Sequence, residues 1–163
     1  MSEEEPSKRP TPARNPAQTV IASLAERNSS AQTVFDRFFD WYPDVWFVND
    51  EIVSTLNNMP RPLREVAVTH QAFGMMSNGG PSGYFLHFES LFDIEVKLGL
   101  EELGFAAAYT QIANGRTLFN ASPDRDLSIE QSAKIFEHLP SLDAIENRIG
   151  QWLIDKHKSF ADH

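Results

Sequence analysis

The chain has 163 residues, enough for one domain of ordinary size, and at 41% hydrophobic it can bury a core rather than stay unfolded. It has no cysteine, which excludes a disulfide framework, a thiolate zinc site and a cysteine nucleophile. Its net charge of −9 argues against non-specific binding to nucleic acid or to anionic membranes, both of which favour a basic surface. No apolar run approaches the roughly 20 residues needed to span a bilayer, and the first residues lack the apolar stretch of a secretory signal. The expected location is therefore cytoplasmic.

Residues 1–16 stand apart. Pro6, Pro10, Pro12 and Pro16 fall here, with three glutamates, three basic residues and no aromatic residue. Such a segment buries too little apolar surface to offset its ordering entropy, so it reads as a disordered tail. Its charges cancel, and the whole net charge belongs to the domain that follows, residues 17–163.

Within the domain the apolar spacing predicts helices throughout. Residues 17–27, 31–41 and 43–57 come first. Residues 62–77 follow, with Leu63, Val66, Ala67, His70, Phe73 and Met76 along one side. Pro43, Pro62 and Pro81 each open a long run without proline, as suits the first turn of a helix. Pro60, Pro123 and Pro140 fall between runs. Residues 100–114 are apolar nearly all round, from Leu103 through Ala106, Ala107 and Ala108 to Ile112. They predict the most buried helix, with Gly115 as its stop. Ser128 and Gln131 form a capping box ahead of a stripe of Ile129, Ala133, Phe136 and Leu139. Ser141 caps the last helix, residues 142–158, whose stripe is Leu142, Ile145, Ile149, Trp152 and Leu153. Residues 45–48 and 66–69 have strand-like composition, but no turn signal pairs them, so helix is favoured. The expected fold is all-α: a compact single-domain bundle of about six to eight helices.

The segment from Ser77 to His87 is the most distinctive. Asn78, Gly79 and Gly80 all tolerate positive φ and end the preceding helix, with a positive φ expected at Gly79 or Gly80. Pro81 then pre-sets the next helix, and Tyr84, Phe85 and Phe88 point inward from it. This predicts a tight corner between two helices with an aromatic anchor.

Asn78, Gly79, Gly80, Tyr84 and Phe85 match the Asn-Asn-Gly-Gly-Phe-x-Gln-Tyr-Phe-x-Asn corner of the DNA-mimic protein 19-like family, also catalogued as domain of unknown function 4375, which the chain resembles over residues 31–160. Ser77, Pro81, Gly83 and His87 depart from that pattern. Past the corner the resemblance continues through a helical stretch, a glycine-containing break, an alanine-rich helix with Tyr109, then Leu118, Phe119 and two amphipathic helices. It implies an all-helical domain without catalytic residues, assembled as a homodimer. It also implies, for at least some members, carboxylates presented in place of DNA phosphates to a DNA-binding protein. Trp41, Tyr42, Trp46 and Phe47 are the candidate dimer contacts, since aromatics are enriched at interfaces. The competing expectation is that the tryptophans belong to the core.

No pattern of catalytic chemistry stands out. The five histidines (His70, His87, His138, His157 and His163) include no pair at the spacing of a helical zinc site, and phosphate-binding loops and nucleophile elbows are absent. His70, on an apolar stripe, reads as a hydrogen-bonded, half-buried side chain. The expectation is a protein that is not an enzyme and uses no cofactor or metal. Lys and Arg are scattered among the acids, Arg61 and Arg64 being the densest pair, so direct nucleic-acid binding is not expected either.

The acids fall into two groups. Asp36 and Asp40 stand four residues apart, about 6 Å of helical rise, and Asp44, Asp50 and Glu51 follow. DNA carries a phosphate roughly every 3.4 Å along each strand, so carboxylates at this spacing stand in for about every second phosphate. The second group is Glu89, Asp93, Glu95, Glu101 and Glu102, relieved only by Lys97. Taken with the resemblance, the first group marks an acidic face for a protein partner. The leading candidate is a basic DNA-binding regulator, and the function would then be transcription regulation by DNA mimicry. Ordinary solvated helix faces carry such acids too, and a helical scaffold, inhibitor or immunity-type protein with a non-DNA-binding partner remains the alternative.

Overall fold

In the computed structural model, which describes residues 15–25, 29–42, 50–88 and 92–161, eight helices and no strand occur among the described residues. They are α1 (Pro16–Leu24), α2 (Ala31–Trp41), α3 (Asp50–Asn57), α4 (Leu63–Phe88), α5 (Asp93–Glu102), α6 (Ala108–Ala121), α7 (Ile129–Glu137) and α8 (Leu142–Ala161). The all-α expectation is met. Pro16 opens α1, and Asn15 caps it in a capping box with Gln18, so the helical domain begins two residues inside the expected tail. The rest of that tail lies outside the described residues, as do the expected helical start at Pro43, the strand-like residues 45–48, and Asp44, Trp46, Phe47, Glu89 and His163.

Helix α4 is the axis of the bundle, packing against α5, α6, α7 and α8, while α8 also lies along α1 and α2. Its burial explains its composition. Leu63, Val66, Ala67, Val68, Thr69 and Ala72 are all sealed from solvent, a face too wide for a helix with one wet side. The expectation that residues 100–114 form one helix, the most buried, is overturned. The helix ends just before Gly104, whose φ of 80° only glycine adopts readily, and Ala106 and Ala107 are exposed in the turn between α5 and α6. Gly115 is not a stop but lies inside α6, where a Cβ would sit 2.7 Å from Ile135 Cδ1 and 3.0 Å from Phe85 Cζ. A run that is apolar all round suits two short helices as well as one long one.

The capping box of Ser128 and Gln131 opens α7 as expected, and Ser141 Oγ accepts from the Ala144 amide at the start of α8. The α8 stripe is confirmed in Ile145, Ile149, Trp152 and Leu153, all buried, with Leu142 half-buried. The α7 stripe is corrected in part: Leu139 packs half-buried against the core as expected, but Ile135 is the residue that faces α6, whereas Ile129 is 92% exposed and Ala133 and Phe136 are also exposed.

The expected corner is an interruption one residue long. Gly80 takes φ 72°, ψ 175°, a region essentially reserved for glycine, and Pro81 starts the second half of α4 directly after it. Tyr84 and Phe85 beyond it are fully buried, Phe85 against Phe119 and Tyr84 against Phe88.

Candidate functional site

The two acidic groups meet different fates. On α2 the apolar residues Val34, Phe35 and Phe38 face the core, which turns Asp36 and Asp40 together onto the opposite, exposed face. Ser30 caps this helix through the Thr33 amide, and Gln32 Nε2 donates to Asp36 Oδ1 at 2.9 Å. Asp50 and Glu51 occupy the exposed first turn of α3, where the helix dipole favours negative charge. None of these four forms an ion pair among the described residues.

The acids of α5 are committed to the fold. Asp93 pairs with Arg116 at 2.6 Å and accepts from the Tyr84 hydroxyl at 2.9 Å. Burial and that carboxylate push the Tyr84 hydroxyl well above the ordinary tyrosine range. The Arg116 guanidinium in turn lies 4.9 Å from the Phe85 ring centre and 5.4 Å from that of Tyr84. Two of the motif residues are thus cemented to α5 and α6 through one arginine. Glu95 pairs with Arg64 at 3.2 Å, and Glu102 accepts from the Trp152 indole at 3.1 Å with Lys156 at 3.6 Å. Glu101 alone is exposed without an ion pair among the described residues.

A third polar cluster was only partly visible in the sequence. His70 is buried on α4 beside Tyr42 and donates from Nε2 to Glu146 of α8 at 3.1 Å when its Nδ1 accepts from the Tyr42 hydroxyl. Gln71 Nε2 then donates to the Tyr42 oxygen at 3.1 Å. Desolvation lowers the His70 pKa below 6.5, and Glu146 pulls it back part of the way. Phe35 and Phe39 meet the imidazole edge-on. The expected hydrogen-bonded histidine is present, more deeply buried than half. Its partners lie 28 and 76 residues away, beyond any local spacing rule. The cluster ties α2, α4 and α8 together beside a small cleft of about 150 Å³ that Phe39, Gly74 and Asn78 also line. Tyr42, offered as an exposed dimer contact, is instead buried, and Trp41 is half-buried against the core. His87 is exposed.

Among the described residues no three His, Asp or Glu side chains converge to hold a metal ion. No helix among them is long and apolar enough to cross a membrane. No protein family, curated protein or solved structure matches the chain.

Proposed function

We propose that this is a cytoplasmic protein-binding domain that offers the exposed acids of α2 and α3 to a basic surface, acting as a DNA mimic toward a DNA-binding regulator. The observation that carries the reading is the placement of Asp36 and Asp40 side by side on the solvent face of a helix whose other face is locked in the core, with no cation partner among the described residues. Carboxylates fixed this way lose little entropy on meeting a lysine- or arginine-rich groove, and complementary fields speed the encounter. The resemblance around Asn78, Gly79, Gly80, Tyr84 and Phe85 points the same way and adds a homodimer to the proposal. The test is capture of partners from the native host, followed by competition with duplex DNA. A DNA-binding protein should be recovered and displaced by DNA, and its affinity should fall with salt and with charge reversal at Asp36, Asp40, Asp50 and Glu51. A partner bound equally at low and high salt and indifferent to DNA contradicts the reading.

One observation favours a second reading, a scaffold or inhibitor with an apolar contact. Ile129, Ala133 and Phe136 lie together on the exposed side of α7, an apolar group on one helix face rather than a single exposed residue. Loss of capture by Ile129→Ser with Phe136→Ser, and not by the acid variants, would decide for that reading.

A further inference from the structure

Between the start of α4 and the end of α5 lies a cleft of about 350 Å³ lined by Pro62, Glu65, Leu98, Glu101 and Glu102. Glu65 is only 3% exposed, a position where carboxylates are seldom found unless fully paired. One of its oxygens, Oε1, meets Arg61 Nε at 2.8 Å, but the Arg61 side chain is itself mostly exposed. The other oxygen, Oε2, is buried with no hydrogen-bond partner. The carboxylates of Glu101 and Glu102 stand on the opposite wall, and Lys156 at 3.6 Å answers only Glu102. Each wall thus carries an apolar residue beside its acids, Pro62 with Glu65 on the α4 side and Leu98 with Glu101 and Glu102 on the α5 side.

We propose that this cleft binds a guanidinium or alkylammonium group on an aliphatic stem, the cation reaching the Glu65 carboxylate and the stem lying on Pro62 and Leu98. A compact metal ion does not suit it, because the three carboxylates do not converge on one point. An extended organic cation does, since a long stem spans separated acids while its donors meet the Glu65 carboxylate in place of the exposed Arg61 side chain. The cleft involves α4 and α5, not the α2 and α3 acids, so it stands or falls separately from the proposed acidic face. The same chemistry is available from a free polyamine or from an arginine side chain of another protein.

Trp152 supplies the reporter, because its indole N–H donates to Glu102 at the edge of the cleft. The experiment follows the Trp152 indole signal in ¹⁵N–¹H NMR spectra of the full chain during titration with agmatine and, separately, with N-acetyl-arginine amide. Saturable movement of that signal by either probe is expected. Tighter binding of agmatine assigns the cleft to free polyamines, and tighter binding of the blocked arginine assigns it to a protein side chain. Glu65→Gln, which keeps the shape, and exposed Glu101→Gln should each weaken the better probe, the first by about tenfold or more. Arg61→Ala, which removes the resident competitor, should not weaken it. A signal that moves no further than with equal sodium chloride, or a Glu65→Gln variant that melts like the parent and binds equally well, overturns the proposal and leaves a cleft filled by water.

Discussion

The acids of α2 and those of α5 are alike in the sequence and opposite in the structure. Asp36 and Asp40 share a wet face and touch no cation among the described residues. Asp93, Glu95 and Glu102 are held by Arg116, Arg64, Trp152 and Lys156, each from another element. Density of charge along the chain does not measure the charge a partner meets. An acid becomes part of a binding face only where its helix turns it outward and no distant cation claims it.

The sharpest way to test that division is to dismantle the α5 side. Phe85→Ala removes a sealed ring beneath Arg116 and should cost about 3–5 kcal/mol in urea denaturation. Asp93→Ala leaves Arg116 and the Tyr84 hydroxyl without their shared acceptor. A loss of roughly 3 kcal/mol is expected, the low end of what removing one partner of a buried ion pair costs. A parent-like midpoint for Asp93→Ala would mean that α5 carries surface charge after all.

Glu146 extends the comparison, being an acid spent on a histidine. Because burial holds the His70 pKa below its unfolded value of 6.5, the unfolded chain takes up the proton first. The stability tied to neutral His70 is full above about pH 6.5 and drains away as pH falls toward the folded value. Urea midpoints between pH 7.5 and 5 should therefore decline more steeply for the parent than for His70→Gln. Glu146→Gln removes what holds the His70 pKa up, so its decline should run to lower pH than the parent's. Identical slopes in all three proteins would count against this coupling. The smallest effect belongs to Asp36→Ala and Asp40→Ala, each within about 0.5 kcal/mol of the parent.

What the sequence disclosed follows the range of the forces involved. Helix α8 and the Ser128–Gln131 box are local, three- and four-residue patterns, and they were legible. So was the need for a positive φ at Asn78-Gly79-Gly80, because only backbone sterics are at stake. The break at Gly104 was overlooked because alanine and leucine on either side suit a continuous helix, although its cause is local: Gly104 takes a positive φ and the Phe105 amide closes back onto the Leu100 carbonyl at 2.8 Å. The α7 stripe was misread by one position because α6 decides which side of so short a helix is covered, through the contact of Ile135 with Gly115. The site divides likewise. The pairing of Asp36 with Asp40 on one face is a matter of helical period. Arg116 lies 23 residues from Asp93 and Trp152 lies 50 from Glu102, and only the tertiary fold brings them in.

The most direct measurement is a pair of thermal melts. One variant carries Asp36→Asn, Asp40→Asn, Asp50→Asn and Glu51→Gln. The other carries Asp93→Asn, Glu95→Gln and Glu102→Gln. The first should melt within about 4 °C of the parent, because Asp36 and Asp40 face water and Asp50 and Glu51 add only the modest helix-dipole contribution at the start of α3. The second should melt about 10 °C or more below it, because Asp93→Asn and Glu95→Gln leave the nearly buried Arg116 and Arg64 without a countercharge and Glu102→Gln weakens the acceptor of the Trp152 indole. Equal melting points, or the reverse order, would contradict the division between acids free to meet a partner and acids already spent on the fold.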